Sequence, residues 1–184
     1  MRKTLKKVLL LARHAFRFNF GKFSDIGYGT KVVRYQYFDV GSYFFCGRFC
    51  YFSTNQHCPV LIGDDVMFGP EVMILGGGHD YKYTLGHIRH KTSPVEKKSS
   101  IVIENGVWVG ARAIILDGAV VSEGAVIGAG EVIRDTVPPY CVYADGKVRP
   151  RFKTEEELKT LLNNVGSKYS VREVSDFILQ WKNR

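Results

Sequence analysis

His79 follows three glycines in the run Gly76-Gly77-Gly78-His79-Asp80-Tyr81. An imidazole carried on so open a backbone is suited to taking a proton from a hydroxyl near neutral pH. A lone histidine is more often structural, so the elements around it must decide. His14, His57, His87 and His90 carry no comparable setting. His87-x-x-His90 has ligand-like spacing on a helix, but the surrounding residues lack a helical pattern and offer no third partner at a fixed interval, so no metal is expected. Cys46, Cys50, Cys58 and Cys141 form no Cys-x-x-Cys pair, and they read as reduced thiols of a cytoplasmic chain rather than as staples or ligands.

The elements that would position His79 come from a six-residue repeat. Stepping by six from Ile26 gives Ile26, Val32, Phe38, Phe44, Cys50, Gln56, Ile62, Phe68 and Ile74; a second register gives Ile103, Val109, Ile115, Val121, Ile127 and Ile133. Fourteen of these fifteen positions are apolar, Gln56 being the exception, against 45% for the whole chain, so chance is a poor account. Most fifth positions of the hexads are small or β-branched. In a strand, residues two apart share a face, so fifth and first positions both point inward, and sixth and second positions point out. A hexad cannot bury its own apolar residue. Three must therefore wrap into a triangular coil, and the coils must stack through backbone hydrogen bonds. The pattern predicts a parallel β-helix of about five coils. A sandwich or barrel would instead show two-residue alternation with turns every 8 to 12 residues.

On this register the next inward position after Ile74 would be Asp80, and an unpaired carboxylate in a narrow core is costly. The chain is therefore expected to leave the coil over residues 80–100 and return near Ile101. A connection of that length is uncommon and usually functional. His79 falls on a sixth position, facing outward at the base of this loop. Trp108 is another outward position, where a bulky aromatic implies a covering ligand or a neighbouring subunit.

Charge is concentrated at the start. Residues 1–24 carry Arg2, Lys3, Lys6, Lys7, Arg13, Arg17 and Lys22 with no acid, which is seven of the net +8. The nearly balanced remainder is no nucleic-acid surface. Leu5, Val8, Leu9, Ala12 and Phe16 have helical spacing, so residues 1–24 are read as a basic helical cap, with peripheral contact of residues 1–22 with the inner face of a membrane as an additional expectation. The longest early apolar run, Val8 to Ala12, is far too short to span a bilayer or to act as a secretion signal. At the other end, Thr154-x-x-Glu157 and Ser170-x-x-Glu173 are capping-box signatures, predicting two helices over residues 153–184.

Residues 26 to 152 resemble the hexapeptide-repeat acyltransferases, in the branch containing galactoside or maltose, xenobiotic and polysaccharide O-acetyltransferases. The resemblance rests on Ile62-Gly63-Asp64-Asp65-Val66-x-Phe68-Gly69-Pro70-x-Val72, then His79, then Ile103-Glu104-Asn105-Gly106-Val107-Trp108-Val109-Gly110-Ala111. Val126-Ile127-Gly128-Ala129-Gly130 and Val137-Pro138-Pro139-Tyr140 extend it. It implies a left-handed parallel β-helix over residues 25–152 that forms a homotrimer with active sites between subunits, and acetyl-CoA as donor. His79 matches the catalytic histidine of the family. Trp108, Gly110, Ala111 and Ala129 match the wall along which the pantetheine arm lies, Gly110 leaving room for it. Arg134, Lys147, Arg149 and Arg151 are candidates for the CoA phosphates. Asn55 and Tyr81 are candidates for the acceptor. One departure is that Ala144-Asp145-Gly146-Lys147-Val148 replaces the usual Gly-Asn-Pro-Ala-Lys-Val, which removes the turn expected near the adenine.

The activity so implied is O-acetyl transfer to a sugar or glycan hydroxyl during surface polysaccharide synthesis, the aromatic-rich early coils favouring a sugar ring. An antibiotic O-acetyltransferase and an amino-sugar N-acetyltransferase are the nearest alternatives. A γ-type carbonic anhydrase would need three imidazoles around an open metal position, which these histidines do not suggest. A non-catalytic scaffold is the last alternative.

Overall fold

A computed structural model of the chain describes residues 19–80, 82–90 and 100–182. The first coil consists of β1 (Asn19–Phe20), β2 (Asp25–Ile26) and β3 (Lys31–Val33). The second holds β4 (Phe38–Val40), β5 (Phe45–Cys46) and β6 (Tyr51–Ser53), and the third β7 (Val60–Ile62), β8 (Met67–Phe68) and β9 (Met73–Leu75). The fourth holds β10 (Ile101–Ile103), β11 (Trp108–Val109) and β12 (Ile114–Leu116), and the fifth β13 (Val120–Val121), β14 (Val126–Ile127) and β15 (Val132–Ile133). A sixth, incomplete coil has β16 (Thr136–Val137) and β17 (Cys141–Ala144), after which β18 (Lys147–Pro150) reverses direction. Each strand of β1 to β17 pairs in parallel with the strand one coil away, giving three sheets, one per side of the prism.

Inward side chains stack in columns. Val40, Ile62, Ile103, Val121 and Val137 line the first sheet, and Ile26, Cys46, Phe68, Val109 and Ile127 the second, all buried. Phe52, Ile74, Ile115 and Ile133 complete the third. In the wider early coils Phe44, Phe52 and Phe68 meet edge to face, with centroids 5.2 to 6.5 Å apart. Such contacts add about 0.5–1.5 kcal/mol to the burial itself.

The six-residue phase is not continuous from Ile26 to Ile74. The equivalent inward positions are Ile26 and Val32 in the first coil, then Val40, Cys46 and Phe52, then Ile62, Phe68 and Ile74. Eight residues separate Val32 from Val40, ten separate Phe52 from Ile62 and twenty-nine separate Ile74 from Ile103, whereas six separate Ile115 from Val121 and four Ile133 from Val137. Insertions of even length keep the same face inward, so Phe38, Phe44 and Cys50 are buried although they occupy fifth positions. Gln56, the polar exception, lies in one of the insertions and is exposed. All the irregular spacings fall at one corner, where the third sheet returns to the first.

The remaining corners turn on residues with positive φ: Phe23, Tyr43, Asp65, Gly106 and Gly124 between the first and second sheets, and Gly29, Phe49, Glu71, Arg112 and Gly130 between the second and third. A bulky side chain there costs about 1–2 kcal/mol relative to glycine.

The prism begins before Asp25. The helical cap expected over residues 1–24 lies outside the described residues as far as 18, and Asn19–Phe20 already pair with β4. At the far end α1 (Glu155–Val165) and α2 (Val171–Lys182) form where the capping boxes predict. Thr154 Oγ1 accepts from Glu157 N at 3.2 Å, and Ser170 and Glu173 exchange side-chain to backbone bonds at 2.8 and 3.3 Å. Leu158, Leu162, Val174 and Ile178 are buried against the prism, and Lys168 Nζ meets Glu104 Oε1 at 2.6 Å. Among the described residues no helix is long and apolar enough to cross a membrane.

Candidate active site

The irregular corner is where the chain builds a groove. Paired neighbours Leu75 and Leu116, with Arg134 beyond β15, bring three successive coils to one edge. Leu116 and Asp117 come from the crossing after β12, Arg134 from the crossing after β15, and Leu75 to Gly78 from the end of β9 and the start of the excursion that follows it. The groove has a volume of about 470 Å³ and is lined by Leu75, Gly76, Gly77, Gly78, Leu116, Asp117 and Arg134. His79 lies one residue beyond this lining and is exposed, at the base of the excursion. Asp80 then turns the chain, its side chain accepting from Lys82 N at 3.0 Å and its carbonyl from Tyr83 N at 3.2 Å.

The glycine run is held from the coil before it. Asn55 Nδ2 donates to Gly77 O at 3.2 Å, and Asn55 Oδ1 accepts from His57 N at 2.9 Å. Gly77 has φ +73°, and a Cβ there would lie 2.0 Å from Asn55 Nδ2, so both conformation and space demand glycine. Asn55 thus spends its amide oxygen on its own turn and one amide N–H on the backbone leading to His79. Beneath it, the buried Thr54 hydroxyl donates to Cys58 O. Burial, reinforced by Asp117, pushes the Cys58 thiol up to about 11, so it is protonated at neutral pH and a poor nucleophile.

The other expected site residues lie elsewhere on the protomer. Trp108 is 48% exposed on the outer face of the second sheet, in register with Met67 and Val126. Gly110, Ala111 and Ala129 occupy the corner that follows. A Cβ on Gly110 would lie 2.6 Å from Ala129 N, so coil stacking alone requires the glycine. Lys147 and Arg149 pair with Ala144 and Val142 in the β17–β18 hairpin, which puts them on the same sheet face as Trp108. Arg134 is at the groove, and Arg151 donates to Gly124 O at the corner between the first and second sheets. The four cations are therefore not one cluster. Tyr81 lies outside the described residues. Among the described residues no group of three His, Cys, Asp or Glu side chains is placed to hold a metal.

Two features escaped sequence reasoning. Asp117 enters the groove because Leu116 pairs with Leu75; the three-hexad count already stacks Ile115 on Ile74, but the residue that follows at this corner was not singled out. The Asp145-Gly146 hairpin, with φ of 54° and 67°, had a clear signal, since Asp-Gly favours a two-residue turn with both residues left-handed. It stands where the Asn-Pro-Ala turn was missing. Of the aromatics in the early coils, Phe38, Phe44 and Phe52 are buried in the core, whereas Tyr35, Tyr43, Phe45, Phe49 and Tyr51 are exposed.

No family model matches the chain. It is 30% identical over 126 residues to the galactoside O-acetyltransferase of Escherichia coli (strain K12), a match covering 66% of this chain and 60% of that one. The chain spans about half to three-fifths of the length of the curated relatives it matches. Among solved structures, a maltose O-acetyltransferase from Clostridium difficile 630 is 29% identical with a TM-score of 0.63, over 73% of this chain and 69% of that one. A hexapeptide-repeat-containing acetyltransferase from Vibrio cholerae, also solved with acetyl coenzyme A, is 22% identical with a TM-score of 0.67 over 78% of each chain. Its relatives are acetyltransferases, and the chain has their hexapeptide-repeat, left-handed β-helix fold.

Proposed function

We propose that the chain is an acetyl-CoA-dependent O-acetyltransferase acting on a sugar hydroxyl, in the synthesis of a surface polysaccharide, with His79 as general base. The observation that carries this reading is the placement of His79: exposed, beyond a glycine run clamped by Asn55, beside a groove at the one corner the solenoid elaborates. The sugar acceptor is supported by the galactoside and maltose enzymes among the relatives, and the donor by the acetyl-CoA complex of the Vibrio cholerae protein. Neutral His79 removes the hydroxyl proton as that oxygen bonds to the thioester carbonyl carbon. The tetrahedral intermediate collapses, the carbon–sulfur bond breaks, and the imidazolium returns the proton to the leaving thiolate. No covalent acyl-enzyme is required, in keeping with the suppressed ionisation of Cys58.

His79 and Arg134 sit at one corner of the prism, while Trp108, Lys147 and Arg149 share a different face. A site using both sets needs a second copy, which supports a homotrimer with its active sites between protomers. On this reading the donor lies along Trp108 and Ala129, and Lys147 and Arg149 meet its phosphates. The test is release of CoA thiol from acetyl-CoA across simple sugars, nucleotide sugars and aromatic antibiotic alcohols. Sugar-dependent release is expected. Release with antibiotics alone, or no release with any acceptor, would overturn the acceptor or the activity respectively.

A further inference from the structure

The first two coils carry an aromatic collar that neither the core nor the groove uses. Phe23 is 76% exposed and stacks at 5.2 Å on Tyr43, which is 56% exposed, at the corner between the first and second sheets. At the next corner Tyr28 and Phe49, 64% and 57% exposed, meet edge to face at 5.9 Å. Phe45 and Tyr51 stand outward on the faces between, and Tyr35 is exposed at the third corner. Phe23, Tyr43 and Phe49 occupy positive-φ positions, where asparagine or glycine is favoured. From the third coil on, the equivalent positions carry Asp65, Glu71, Gly106, Arg112, Gly124, Gly130 and Tyr140, the last buried. Strained, solvent-exposed aromatics are thus confined to one end of the prism.

We infer that this end is a docking surface for an anionic membrane. Aromatic side chains lie at all three corners, so a copy packed side by side, which meets one or two faces, leaves part of the collar bare; a surface met end-on covers all of it. The charge is complementary to acidic lipid headgroups. Lys22, Lys31, Arg34 and Arg48 are exposed among the aromatics, against Asp25 and Asp39. Amphipathic aromatic rings combined with clustered Lys and Arg are the chemistry that binds the headgroup region, rings entering the boundary and cations holding phosphates. At roughly 4.8 Å per coil, immersing about 10 Å takes in both aromatic coils and leaves the groove at the third to fifth coils in water.

The experiment is co-sedimentation of the full chain with vesicles of phosphatidylcholine, with and without phosphatidylglycerol. The parent chain should partition onto the anionic vesicles, and less so as salt rises. The triple variant Phe23→Asn, Tyr43→Asn, Phe49→Asn should partition at least 10-fold more weakly while melting at the same or a higher temperature, because asparagine tolerates the left-handed backbone. As an independent reading, indole emission gained in Phe23→Trp should be quenched by brominated phosphatidylglycerol. No partition of the parent, equal partition of parent and triple variant, or an unquenched indole at position 23 would overturn the inference. A change of mass in solution on making the triple variant, with vesicle binding retained, would reassign the collar to contact between copies.

Discussion

At the scale of single residues, the candidate chemistry depends on His79 and the backbone that presents it. His79→Ala should lower turnover by about 10²-fold or more, the usual loss for a general base, with oligomeric mass and CoA binding unchanged; a thiol-release assay beside light scattering checks both. Gly77→Ala should cost about 1–3 kcal/mol, read as a fall in melting temperature, because it forces a side chain into Asn55 at a positive φ. Asn55→Ala leaves no such clash, so it should reduce turnover through a looser His79 while changing stability less. The exposure of His79 was legible from its glycines and from the two-residue alternation. Asn55 as clamp of Gly77 was not, because their contact spans one whole coil of irregular length. The four cations were legible as cations but not as separate sites, since only the hairpin and the coil register divide them.

Among the elements, the sheets followed from the repeat because inward side chains every second residue tolerate insertions of two or four without exposing the core. That tolerance is also why the count by six ran through Phe38, Phe44 and Cys50 without revealing a shift. The C-terminal helices were legible from their capping boxes. Ser170→Ala should destabilise α2 by about 1 kcal/mol, seen as earlier loss of helical circular dichroism. Backbone and side-chain bonds from Ser170 hold the Glu173 carboxyl below its usual range. Its support is therefore complete above the ordinary glutamate pKa near 4.3 and lost as pH falls through the lower folded value. At the other extreme, the bond to Glu104 raises Lys168, so that tether is complete below the ordinary lysine pKa near 10.4 and lost as pH rises past the higher folded value. Hydrogen exchange in α1 and α2 should quicken at both extremes, before exchange in the strands.

The whole molecule divides its candidate machinery between places that one protomer keeps apart. If a site draws His79 from one copy and Trp108 from another, inactive His79→Ala and Trp108→Ala chains should complement when refolded together. Random mixing would restore about a quarter of the parental sites in a cyclic oligomer, measured as thiol release. No recovery in proven mixed oligomers would place both side chains in the same subunit's site. The architecture was legible from the repeat and its resemblance, whereas the groove was not, because it arises from where coils differ in length rather than from what they share. The differences all accumulate along one edge, while the other two edges keep a nearly constant stride. A chain wound this way can lengthen or trim its third edge without disturbing the pairing that holds it together, so new substrate preferences can evolve by editing a margin while the spine is conserved.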